Sequence, residues 1–269
     1  MAAELGRTAV LAAEDGSYHT ATETLVDWQD LVAHAVRSKV SIRPEDDLPS
    51  ALETAHAATR VQVTNETTLA ASQRLIAERL RPLALNFANG LHPGGGFLSG
   101  AKAQEEAICR SSALYATLVD DPMYDHHAQR EEPDSTSWTI LSPDVPVFRT
   151  EDGLALDEPW LLSLVTCAAP VASSIGQPRS GDLLQQRIHR VLAIAQAYGY
   201  SDLVLGAWGC GAFGNDSDRT ARDFRDALVG PFQKAFSSVI FAITDWSPDR
   251  RHLGPFRDVW ASAEGHHAQ

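Results

Sequence analysis

"RPLALNFANGLHPGGGFLSGAKAQEE", residues 81–106, decides the fold. Its first nine residues are mostly apolar, and they predict a buried strand over 81–89 that runs straight into three consecutive glycines. After a short spacer, Gln104-Glu105-Glu106 opens a helix expected over 104–119, with Ile108, Leu114, Tyr115 and Leu118 on one side. Three glycines in a row cost backbone entropy. Two adjacent carboxylates repel if both are ionised and close. Strand, glycine loop and helix in that order is an arrangement in which backbone N–H groups hold anions.

Working outward, the same alternation continues. "RVQVT" (60–64) reads as a strand and 65–80 as a helix, capped by Asn65 or Thr67. Residues 160–170 form an apolar strand, 181–199 an amphipathic helix closed by Gly199, and 202–216 a strand entering a second glycine-rich turn. A helix and a last strand over 237–245 follow. Near-continuous apolar strands alternating with helices predict an α/β fold with a mixed, largely parallel sheet and helices on both faces. Ligands of such sheets sit outside the carboxyl ends of the strands, where both glycine turns fall. Residues 1–59 read as helix, extended piece and helix around 28–38, an N-terminal extension packed on a domain spanning 60–269. The polar segment 120–137 reads as an exposed loop.

The formal net charge of −13 argues against a duplex nucleic-acid groove, which needs clustered Lys and Arg. It leaves room for a small anion held by backbone N–H groups. The first residues carry no apolar core of a secretory signal, and no run is long enough to span a membrane. Cys109, Cys167 and Cys210 lie far apart, which suits reduced thiols in a cytoplasmic protein.

Gly94, Gly95 and Gly96 let a backbone approach a phosphate closely. Asn86 and Asn89 at the strand end can hydrogen-bond sugar hydroxyls or close their own turns. Glu105 and Glu106 suit the helix dipole of a first turn. Beside a ligand loop, a carboxyl there can also protonate a glycosidic leaving oxygen and then activate water. The dipole lowers a carboxyl's pKa, so an acid in this place needs burial, a like charge or a substrate phosphate to raise it. In "GAWGCGAFGND" (206–216), Gly209, Gly211 and Gly214 make the second flexible turn, and Phe213 reads as a local plug or as a ring against a ribose. Ser99 is a phosphate contact or a small loop residue. Nothing pairs Cys210 with a base, so it is not read as a nucleophile. His126-His127 and His266-His267 lack metal-ligand spacing and read as solvated.

The run "PGGGFLSGAKAQEE" resembles the signature of bacterial-type poly(ADP-ribose) glycohydrolases, which carry a macrodomain fold. "ILSPDVPVFRTEDG", "TCAAP", "GAWGCGAFGND" and "FAITD" follow in that family's order, so the resemblance covers roughly 60–245. It implies hydrolysis of ribose–ribose O-glycosidic bonds of poly(ADP-ribose), exo-acting, with ADP-ribose as product and no cofactor or metal. Glu106 would be the acid/base, and Glu105 would hold a ribose hydroxyl. Gln104 and Asn89 would line the ribose. Gly94–Gly96 with Gly209, Cys210, Gly211, Ala212, Phe213 and Gly214 would cradle the diphosphate and distal ribose. Partners would be poly(ADP-ribose) or ADP-ribosylated proteins, met by a monomer. Val171 departs from the pattern: after "AAP" the family carries Asn, so ligand affinity or preference is what the change bears on. Two other readings share the glycine loops, a non-catalytic ADP-ribose reader and a hydrolase of mono-ADP-ribosyl linkages. A reader has no use for Glu106.

Overall fold

The computed structural model describes residues 1–50 and 55–264. In chain order the elements are α1 (Ala2–Asp15), β1 (Ser17–His19), β2 (Leu25–Asp27), α2 (Gln29–Ser38), β3 (Val40–Ile42), β4 (Arg60–Thr64), α3 (Thr68–Ala77) and β5 (Pro82–Ala88). Then come α4 (Gln104–Ser111), α5 (Leu114–Leu118), α6 (Pro122–Ala128), β6 (Thr139–Arg149), β7 (Ala155–Ala168) and α7 (Ala172–Ile175). The chain ends with α8 (Arg179–Ala197), β8 (Asp202–Leu205), α9 (Ser217–Val229), β9 (Ser238–Ala242) and α10 (Leu253–Glu264). The main sheet has seven strands in the order β3-β6-β7-β5-β8-β9-β4 and is flanked by helices, the macrodomain-like architecture expected from the sequence.

The chain forms two compact units, and β5 contributes to both. The first comprises residues 1–44, 86–129 and 138–168. Here β6 pairs antiparallel with both β3 and β7. Its core includes Trp28 and Phe148, ring centroids 4.6 Å apart, with Tyr18 against both. Helix α1 lies so close to Phe97 that a Cβ on Gly6 would meet the Phe97 carbonyl oxygen at 2.6 Å. Arg149 ties this helix down, donating to Leu5 O at 3.0 Å and Thr8 Oγ1 at 3.1 Å.

The second unit comprises residues 45–85, 130–137 and 169–269. Strands β5, β8, β9 and β4 run parallel there, and every residue of β8 and β9 is buried. Phe241 of β9 packs edge-on against Phe224 and tilted against Phe256, ring centroids 5.3 and 5.2 Å away. Helix α8 closes as expected, with Gly199 at φ 77° and the Tyr200 N–H reaching Ala195 O.

Two expectations are corrected. The helix predicted over 104–119 breaks at Ser112-Ala113, because β6 captures that backbone. Ala113 N–H donates to Pro146 O at 3.0 Å, and Ser112 bridges to Val147. The exposed loop predicted over 120–137 contains α6, whose Met123, Tyr124 and His127 are buried. Asp121 caps it from Met123 N–H, and Pro122 occupies the first turn, where a missing N–H costs nothing.

Candidate active site

Strand β5 delivers its chain into the glycine loop, and α4 turns back over it. Gln104 fixes the junction: its Oε1 accepts the Phe87 N–H at 2.9 Å. Glu105 and Glu106 are buried, 3% and 8% exposed. Glu105 Oε2 accepts the Asn89 N–H at 2.7 Å, and its Oε1 accepts Asn86 Nδ2 at 3.3 Å. Glu106 Oε1 accepts the Gly96 N–H at 3.0 Å. Glu106 Oε2 is buried and has no hydrogen-bond partner.

Both carboxylates press against one glycine. A Cβ at Gly95 would lie 2.4 Å from Glu106 Oε1 and 3.0 Å from Glu105 Oε2, and Gly95 holds φ +59°. Only glycine meets both demands. Burial pushes the Glu105 carboxyl up to about 8. Hydrogen bonds from Asn89 N–H, Asn86 and Gly94 N–H oppose that rise, and the charge on Glu106 adds to it. Desolvation thus overrides the helix dipole at Glu105.

The remaining residues of the first loop divide. Asn89 closes its own turn, its Oδ1 accepting Leu91 N–H at 2.8 Å and His92 N–H at 3.0 Å. Ser99 donates to Gly96 O at 3.0 Å. Asn86 is fully buried beneath Glu105, where no sugar reaches it.

The second glycine loop leaves the carboxyl end of β8, which is parallel to β5 and adjacent to it. Within its own unit it is pinned by Asn215, whose Nδ2 donates to Pro170 O at 2.8 Å and Gly209 O at 3.1 Å. Cys210 is buried, its thiol is pushed up by burial, and its Sγ donates to Trp208 O, as suits a non-nucleophile. Phe213 is half-buried, while Gly211, Ala212 and Gly214 are exposed. A Cβ at Gly211 would meet no protein atom within 4 Å. Val171 is the N-cap of α7 and gives its N–H to Pro133 O at 3.1 Å.

A model of the microbial-type PARG catalytic domain matches residues 7–150, just over half of the chain. The chain belongs to the microbial-type PARG family. It is 40% identical to the poly(ADP-ribose) glycohydrolase (PARG) of Thermomonospora curvata, with TM-score 0.89, covering 96% of this chain and 98% of that one. A second structure of that PARG, bound to the inhibitor ADP-HPD, superposes with TM-score 0.87 at 40% identity over 95% of this chain and 98% of that one. A PARG from Deinococcus radiodurans in complex with ADP-ribose is 40% identical, with TM-score 0.80, over 86% of this chain and 97% of that one. No curated protein matches.

Some features of this PARG-family chain escape sequence reading. His127, expected to be solvated, is buried, and its Nδ1 lies 3.1 Å from Gly90 O, which ties α6 to the glycine loop. His266 and His267 lie outside the described residues. In the second unit a shallow groove is lined by Gln62, Val63, Thr64, Asn65, Glu66 and Arg74. Asn65 joins it to Asp245 by two hydrogen bonds, at 2.9 and 3.0 Å. Trp246, 74% exposed, follows directly, with the Arg250 guanidinium 5.4 Å from its ring centroid. Among the described residues no cluster of His, Cys, Asp and Glu could hold a metal, and no helix is long and apolar enough to cross a membrane.

Proposed function

We propose that this protein hydrolyses the ribose–ribose O-glycosidic bonds of poly(ADP-ribose) from chain ends, releasing ADP-ribose, with Glu106 as the acid/base. The observation that carries the reading is Glu106 Oε2, a buried carboxylate oxygen with no partner beside a loop of backbone N–H groups. The family supports the substrate, since relatives bind ADP-ribose and ADP-HPD.

In this mechanism Glu106 Oε2 gives a proton to the leaving 2′-oxygen as the C1″–O bond breaks and an oxocarbenium-like sugar forms. Water then adds to C1″ and returns its proton to Glu106. Glu105, anchored by Asn89 N–H, accepts a hydroxyl of the same ribose and orients the bond. Gly94–Gly96 let the diphosphate approach a backbone bare of side chains, their own N–H groups holding Glu105, His92 O and Glu106 Oε1. Gln104 and Asn89 hold the loop that lines the ribose. Gly209 to Gly214 keep the role the sequence suggests, with Phe213 on the distal ribose. The open space over Gly211 supports that role, because nothing in the protein itself requires glycine there. Trp246 beside its groove offers a face on which adenine stacks.

The test compares purified poly(ADP-ribose) with a protein bearing single ADP-ribose groups. Release of free ADP-ribose from the polymer, without early oligomers and without action on the single groups, is the expected result. Turnover of the single groups alone would overturn the reading.

A further inference from the structure

We propose that Thr166 and Asn86 act as a positioning pair that holds the Oε1 edge of Glu105 and biases where its proton resides. The proposal rests on the reading of Glu105 and Glu106 as the working carboxyl pair.

Asn86, on β5, and Thr166, on β7, are both fully buried. Asn86 Nδ2 donates to Glu105 Oε1 at 3.3 Å and to Thr166 Oγ1 at 3.3 Å. The two amide hydrogens are therefore both taken, and the NH₂ edge is held toward Glu105. The other edge of the amide, Oδ1, is buried with no partner. An unpartnered buried acceptor is costly, so the orientation needs an anchor, and the Thr166 hydroxyl is that anchor.

The two faces of the amide have opposite effects on the carboxyl. An NH₂ group donates to the ionised form and favours it. Turned round, Oδ1 would accept a proton from the neutral carboxylic acid and favour that form. An ionised Glu105 Oε1 can only accept and so takes the NH₂ face, and Thr166 Oγ1, by holding the second amide hydrogen, keeps that face turned to it. The other groups facing Glu105 lack this choice. Glu106 and Cys109 are on its own helix, with Arg110 acting on both of those. Tyr124 approaches from α6, its hydroxyl buried and unpartnered. Asn89 and Gly94 contribute fixed N–H groups.

The test is a pH titration of the full chain carrying ¹³C-labelled glutamate carboxyls, followed by NMR, with Glu105→Gln identifying the Glu105 signal. Thr166→Val keeps the shape and removes the hydroxyl, so the Glu105 midpoint should rise by about one pH unit, the scale of one hydrogen bond on an ionisable group. Thr166→Ser keeps the hydroxyl and should titrate as wild type. If Thr166→Val does not fold, Asn86→Leu removes the Nδ2 donor itself and should raise the midpoint likewise. An unchanged or lowered midpoint, or a Thr166→Ser midpoint that rises, overturns the proposal. The titration needs no turnover. A wild type inactive on poly(ADP-ribose) would therefore sink the functional reading separately from the pairing.

Discussion

Gly95→Ala puts the geometry of the carboxyl pair under direct strain. At φ +59° an alanine costs about 1–2 kcal/mol in backbone conformation alone. Its Cβ would stand 2.4 Å from Glu106 Oε1 and 3.2 Å from Glu106 Cδ, so the carboxylate has to withdraw. Withdrawal breaks the 3.0 Å bond from Gly96 N–H. A hydrogen bond to a charged group contributes about 1.5–3 kcal/mol. The combined loss is roughly 2.5–5 kcal/mol, or a Tm lowered by about 5–20 °C in a chain of this size. A displacement near 1 Å at the reacting carboxyl costs on the order of 10²-fold in rate. The assay is kcat/KM for ADP-ribose release at a temperature where the variant is fully folded, beside thermal unfolding. Gly211→Ala is the control, since its Cβ meets no protein atom: stability within about 0.5 kcal/mol of wild type, with weaker ADP-ribose binding. Gly95→Ala with wild-type stability and kcat/KM would refute the argument that Glu105 and Glu106 dictate this glycine.

Three further outcomes follow from the site. Burial keeps the Glu105 carboxyl protonated up to about 8, and its ionisation there changes both its bond to the ribose hydroxyl and the charge beside Glu106, so kcat/KM should break near pH 8. Because folding raises that pKa, the protonated carboxyl favours the fold at low pH, and this contribution is lost as pH climbs toward 8. The Tm of Glu105→Gln relative to wild type should therefore increase from pH 5 to 8 and then level; a flat difference would contradict the burial argument. Trp246→Ala should weaken ADP-ribose binding by about 1–3 kcal/mol in calorimetry if adenine stacks on that ring, and unchanged affinity removes it from the site. Val171→Asn restores a polar side chain after Pro170 and should tighten ADP-ribose binding by roughly 2–10-fold, the worth of one hydrogen bond; equal or weaker binding would show the position is not a ligand contact.

The sequence made the strand, glycine loop and helix legible because apolar run, glycines and acidic first turn each speak through local rules. Residue type and spacing locate both carboxylates, and only the family resemblance separates their roles; the difference in their environments stays hidden, since burial, set by the whole fold, is what lifts Glu105 to about 8. For Asn86 the residue type offers a sugar contact or a closed turn, and tertiary packing, which buries it completely against Glu105, gives it neither. Helix α6 was hidden by its polar composition, although Asp121-Pro122 is a helix-start signal. The break at Ser112 was invisible because it is imposed by a backbone bond from Ala113 to Pro146, far along the chain. Asn89 shows the converse: the turn-closing alternative offered by its residue type is the one its side-chain oxygen takes.

The central claim is that Glu106 does the proton work while the loops hold the ligand. The most direct measurement sets ADP-ribose release from poly(ADP-ribose) by wild type beside Glu106→Gln, with ADP-ribose titrated into both. Release should fall by about 10²–10⁴, the scale of lost acid/base catalysis, while affinity for ADP-ribose stays within a few-fold of wild type. A Glu106→Gln protein that still turns over at near wild-type rate would contradict the account.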